Sequence, residues 1–87
     1  MEFNSADHTR TTTLESLDPG CRSRIIGIRA FGPLRKRMLA MGMVPGAEVE
    51  VIWAAPLGDP VEYRVKGYCL SLRRAEARLI EVLVEVR

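Results

Sequence analysis

From Ala47 onward, apolar side chains recur at every second position in separate short runs. Ala47, Val49, Val51 and Trp53 alternate with Glu48, Glu50, Ile52 and Ala54. Val61, Tyr63 and Val65 alternate with Glu62, Arg64 and Lys66. Ile80, Val82, Val84 and Val86 alternate with Glu81 and Glu85, with Leu83 breaking the polar face. Period two places one set of residues on each face of a strand, so these runs predict strands with one face on a core. The runs are bounded by turn chemistry: Pro45-Gly46, Pro56 to Pro60, and Gly67 leading into Tyr68-Cys69-Leu70-Ser71-Leu72.

Upstream, Asp18-Pro19-Gly20 reads as a turn, and Arg22 to Ala30 as the first strand, with Ile26, Ile28 and Ala30 on one face. Gly27 inside that strand predicts a bulge or a close backbone approach. Gly32-Pro33 opens a short helix whose apolar face is Leu34, Met38 and Met41, and Gly42 stands where a left-handed residue ends it. Arg73 to Arg78 reads as a single helical turn before the last strand. The class is all-β: about five antiparallel strands, a short helix after the first and a helical turn before the last. A small SH3-like barrel fits this order, and closure would remove the exposed edges. An OB-type barrel is the runner-up. Residues 1–13, polar and threonine-rich without periodicity, are expected to be a disordered tail, leaving 14–87 as the domain.

At 87 residues the chain is one domain, with about 60% of its unfolded surface buried on folding. A net charge of +2 is too weak to point to nucleic acid by itself. Two distant cysteines, Cys21 and Cys69, suit a reduced compartment. No apolar run approaches the ~20 residues of a membrane span, and no signal-peptide pattern opens the chain. The expected location is the cytoplasm, with recruitment to the membrane left to a partner.

Catalytic constellations fail one by one. Gly27 to Gly32 has P-loop glycine spacing, but Pro33-Leu34 follows where lysine and a hydroxyl residue are needed. The single histidine, His8, lies in the tail and gives neither cysteine a base. Asp59 and Glu62 occupy a loop and an outward strand position, where water keeps both ionised. No enzyme and no required cofactor are expected. Cys21, Cys69, Asp59 and Glu62 are weak candidates for an opportunistic divalent transition metal, without the spacing of a ligand set.

Arg35, Lys36 and Arg37 form one basic cluster, and Arg73, Arg74 and Arg78 another. Each is either a solvated face or a surface that steers an acidic partner. Trp53 and Tyr63 share parity with core valines and are expected inside, which argues against nucleic acid and against a proline-peptide groove. Between the two central strands, Pro56-Leu57-Gly58-Asp59-Pro60 carries a large apolar residue on a turn. Pro60 holds Asp59 extended and Gly58 supplies backbone freedom. Leu57 is then either an exposed anchor or a lid folded over the barrel end.

Five segments in order, Leu14-x-x-Leu17-x-Pro19-Gly20, Leu34-Arg35-x-Arg37-Met38, Met41-Gly42-Met43-x-Pro45-Gly46, Ala55-Pro56-Leu57-Gly58-Asp59-Pro60 and Leu72-Arg73-x-x-Glu76-Ala77, closely resemble the FeoA family of small bacterial ferrous iron transport proteins. The resemblance runs from about Leu14 to Val86. It implies an SH3-like fold and a cytosolic accessory or activator of the membrane transporter FeoB, contacting its cytosolic G-protein part. The same domain type ends iron-dependent repressors, but no helix-turn-helix pattern precedes the barrel here. On this reading Leu57, Gly58, Asp59 and Pro60, with Arg35, Lys36 and Arg37, are the candidate partner contacts, and a homodimer stays open.

Overall fold

The computed structural model describes residues 9–85. Six strands form one antiparallel sheet: β1 (Thr9–Thr13), β2 (Arg22–Ile28), β3 (Glu48–Ala54), β4 (Val61–Val65), β5 (Tyr68–Leu72) and β6 (Ile80–Glu85), in spatial order β1-β6-β2-β3-β4-β5. Helix α1 (Gly32–Ala40) follows β2, and the one-turn helix α2 (Arg74–Ala77) joins β5 to β6. A 3-10 turn, Leu14–Ser16, follows β1. The all-β class, the helix after the first expected strand and the helical turn before the last are as the sequence implies, but the expected closure is corrected: among the described residues β5 pairs only with β4 and keeps an open edge.

One strand is new. Thr9–Thr13 pairs along β6, from Thr9 opposite Glu85 to Thr13 opposite Glu81. The expectation of a structureless tail is therefore corrected for residues 9–13. Threonine is β-branched and suits a half-exposed strand, but a run of it shows no apolar period to read. Residues 1–8, with His8, lie outside the described residues, as does Val86.

Two bulges shift the expected parity. In β2 the register steps from Ile25 opposite Val82 to Gly27 opposite Glu81. Ile25 is fully buried and Ile26 turns outward, the reverse of the expected facing. Gly27 is where the bulge was expected, and a Cβ there would stand 3.3 Å from Glu81 Oε1. In β3 the register steps between Val51, opposite Tyr63, and Trp53, opposite Glu62. Val49 and Val51 point inward, whereas Trp53 is 50% exposed, so its expected place in the core is corrected. Tyr63, on the unbulged partner strand, is inside as expected.

The core is continuous: Leu14, Ile25, Met38, Met43, Val49, Val51, Tyr63, Val65, Leu72, Ile80 and Val82 are all buried. Helix α1 contributes Met38 fully and Leu34 in part, and Met41, the residue that caps its C-terminus, packs partly against the same core. It ends in a Schellman motif, with Gly42 N–H on the Leu39 carbonyl at 3.0 Å and Met43 N–H on the Met38 carbonyl at 3.1 Å. The residues at the two ends of the longer bond, Met38 and Met43, are both buried, which is the apolar contact this motif favours. Gly42 adopts φ +98°, and a Cβ there would lie 3.4 Å from Lys66 Cδ and 3.5 Å from Tyr68 Oη. Gly42→Ala should therefore cost about 1–2 kcal/mol in chemical denaturation, with the m-value unchanged. A cost below about 0.3 kcal/mol would mean that the left-handed residue is not what ends the helix.

Candidate interaction surface

The β3–β4 connection is built as a rigid tip. Ala55-Pro56-Leu57-Gly58 is a β-turn closed by Gly58 N–H on the Ala55 carbonyl at 2.6 Å. Pro56 presets φ for the second turn position, and Gly58 follows with φ +86°. Ala55 N–H reaches the Pro60 carbonyl at 3.0 Å and draws the two strands together beneath the turn. The Asp59–Pro60 peptide is cis. Leu57, at the third turn position, points away from everything and is 97% exposed. The alternative of a lid over the barrel end is thereby removed.

Arg74 fastens this tip to the domain. Its Nε donates to the Gly58 carbonyl at 2.6 Å, and its Nη1 donates to the Glu15 carbonyl at 2.9 Å, with Glu15 Oε1 at 3.5 Å. Its backbone N–H donates to Asp59 Oδ1 at 3.0 Å. The loop, the 3-10 turn and the start of α2 thus meet on one guanidinium. Arg78 approaches the same Glu15, with Nε 3.8 Å from Oε2. Asp59 satisfies an N–H that the short helix α2 cannot bond within itself. Beneath the clasp lies Tyr63, whose phenol is pushed by burial from its ordinary 10.0 up to about 12; Arg74 works against that shift, while Glu15 and Asp59 reinforce it.

The basic residues of α1 divide. Arg37 pairs with Glu76 of α2. Arg35 Nη1 donates to the Ile28 carbonyl at 3.1 Å. Lys36 is exposed and has no carboxylate partner among the described residues. Both the loop, through Arg74, and the C-terminal half of α1, through Arg37, therefore abut α2. Gly58, Asp59 and Pro60 form the base from which Leu57 projects.

The weak metal candidates do not gather. Cys21 is half-buried at the entry to β2, and Cys69 is exposed on β5, three strand positions away. Glu62 Oε1 accepts the Trp53 indole N–H at 2.5 Å, and Asp59 is engaged by α2. Among the described residues no group of three or more His, Cys, Asp or Glu side chains is placed to hold an ion.

Sequence reasoning missed two residues here. Arg74 was one of three basic residues in a cluster, and nothing local distinguishes it, because its partners are 16 and 59 positions away. Phe31 is 85% exposed just before α1, and the helix-opening Gly32-Pro33 beside it was the only signal. The half-exposed Trp53 removes one ground against nucleic acid, but its indole N–H is tied to the Glu62 carboxylate.

A six-stranded antiparallel sheet with short helices packed on a single core places the described residues in the class of small SH3-like β domains. Within that class, the FeoA domain model matches residues 12–84, and the chain belongs to the FeoA family, which is associated with ferrous iron transport. A Fe(2+) transport protein A/Fe(2+) transporter FeoB fusion protein of Porphyromonas gingivalis (strain ATCC BAA-308 / W83) is 45% identical over 69 residues, spanning 79% of this chain and 8% of that protein's length. The NMR structure of a FeoA-like protein from Clostridium acetobutylicum is 35% identical with a TM-score of 0.81, covering 90% of this chain and 91% of that one. The zinc complex of Stenotrophomonas maltophilia FeoA, a prokaryotic SH3 domain protein, shares the fold at 24% identity and a TM-score of 0.73, over 82% of this chain and 88% of that one. No helix among the described residues is long and apolar enough to cross a membrane.

Proposed function

We propose that this domain is a non-enzymatic cytosolic accessory of ferrous iron uptake that docks on the cytosolic G-protein part of a FeoB-type transporter and promotes its activity. The observation that carries this reading is Leu57, almost wholly exposed on a loop that Arg74 and Asp59 hold in place. An isolated apolar side chain on a preformed support loses little conformational freedom on binding and makes an efficient anchor. The fused relative supports the choice of partner, because the two parts share one chain there. Lys36 and the neighbouring Arg35 and Arg37 supply a positive field that speeds encounter with an acidic surface.

Leu57→Asp tests the anchor. The side chain touches nothing in the domain, so circular dichroism and thermal stability should be unchanged. Affinity for the isolated FeoB cytosolic domain, measured by calorimetry, should fall about 30-fold or more, as for a residue at the centre of an interface. Unchanged affinity in a folded variant would take Leu57 out of the interface.

A further inference from the structure

Among the described residues the sheet order leaves β5 with β4 on one side and no strand on the other. Lys66 and Gly67 form a two-residue turn between them, both with positive φ. Such a turn makes the flanking pair, Val65 and Tyr68, mutually hydrogen-bonded, and the pattern then alternates. Tyr68, Leu70 and Leu72 therefore direct their backbone groups to β4. Cys69 and Ser71 direct theirs outward, and no backbone or side-chain bond meets them there among the described residues.

Natural edges are usually blunted by charge, proline or a bulge. The sequence of β5, Tyr-Cys-Leu-Ser-Leu, has no charge and no proline, and its register against β4 is unbroken. Its inward side chains are also incompletely covered: Leu72 is buried, Leu70 is half-buried and Tyr68 is 52% exposed. An added strand would find both a hydrogen-bonding edge and an apolar seat for alternate side chains. Charge sets what that strand is. Lys66 at one end of β5 and Arg73 at the other are exposed and carry no carboxylate partner among the described residues. A second copy fits poorly: an antiparallel pairing centred on Leu70 sets Lys66 of each copy against the Arg73–Arg74 end of the other, at both ends.

We propose that the open edge of β5 is a peptide-binding site that takes an extended segment with an uncharged centre and an acidic residue at each end, as an added strand. The site is separate from Leu57 and stands whether or not the domain docks on a FeoB-type transporter.

The test uses the full chain, labelled with nitrogen-15, and two synthetic peptides of alternating valine and serine, one with glutamates at both ends and one with lysines. The glutamate-ended peptide should slow hydrogen exchange at the Cys69 and Ser71 amides by about tenfold or more, and added salt should weaken the effect. The lysine-ended peptide should leave both amides unchanged. Ser71→Pro removes an outward N–H without touching the β4 ladder, so it should abolish binding in a folded protein. Should that variant not fold, the Lys66→Glu, Arg73→Glu double variant should switch preference to the lysine-ended peptide. Three results would overturn the proposal. Both amides could stay unprotected at millimolar glutamate-ended peptide. The two peptides could protect equally. Or the free protein could sediment as a dimer with these amides already protected, making a second copy the occupant.

Discussion

Arg74→Ala should lower the stability of the domain by about 2 kcal/mol, the range for hydrogen bonds from a charged group to backbone carbonyls in a half-exposed setting. For a domain of this size that is about 8–16 °C in melting temperature, read by circular dichroism. The size follows from what the guanidinium joins. It holds the Gly58 carbonyl at 2.6 Å and the Glu15 carbonyl at 2.9 Å, and no other donor bonds either carbonyl among the described residues. Removing the side chain leaves the loop tip tied only by Asp59 and its own turn bonds. Exchange at the Gly58 amide should quicken accordingly. Arg74→Lys keeps the charge but lacks the fork that reaches both carbonyls, so it should recover less than half of the loss. A melting temperature within about 2 °C of the parent would show that the clasp contributes nothing measurable.

This variant also separates support from contact. Leu57→Asp leaves the clasp intact and removes the apolar tip, so it should weaken partner binding without altering the melt. Arg74→Ala leaves Leu57 present on a loosened base. Its binding loss should be smaller and should come from ordering the loop on contact, which makes it more entropic. An equal loss in both variants, with no change in stability for either, would mean that Arg74 itself touches the partner.

The parts of the fold carried by local rules were legible in the chain. Period two marked β3, β4 and β6, Pro33 and Gly42 bounded α1, and Gly27 marked a bulge. What local rules cannot carry is register. Each bulge moves one residue across the sheet, so Ile25 replaces Ile26 in the core and Trp53 leaves it, although both runs read cleanly as apolar. The strand Thr9–Thr13 was hidden for a related reason: its partner, β6, supplies the apolar pattern for both. The candidate surface divides in the same way. Pro56, Gly58 and Pro60 announce a shaped turn, and Leu57 stands out on it. That the turn is fixed by a guanidinium 16 residues from Gly58, and that Asp59 accepts a hydrogen bond from the start of α2, depends on the chain folding back on itself.

Tyr63 should make the domain sensitive to alkali in a definite window. Its phenol is held up at about 12, against an ordinary value of 10.0, because burial disfavours the phenolate more than Arg74 favours it. An unfolded tyrosine loses its proton near pH 10. Between about pH 10 and 12 the unfolded chain therefore binds fewer protons than the native one, and stability must fall as pH rises. Below that window the contribution is complete; above about 12 it is gone, for a total on the order of 2–3 kcal/mol. Other groups titrate in the same range, so the measurement is a difference: urea unfolding of the parent and of Tyr63→Phe across pH 9 to 12. The parent should lose stability more steeply. Absorbance should show a phenolate forming well above pH 10 in the parent that is missing from Tyr63→Phe. Equal slopes in the two proteins, or both tyrosines ionising together near pH 10 in the folded parent, would contradict the burial argument. Arg74→Ala sharpens the case. Without the cation the Tyr63 phenol should titrate later still as long as the domain stays folded, so the variant that weakens the clasp at neutral pH should also raise the pH at which its native tyrosine ionises.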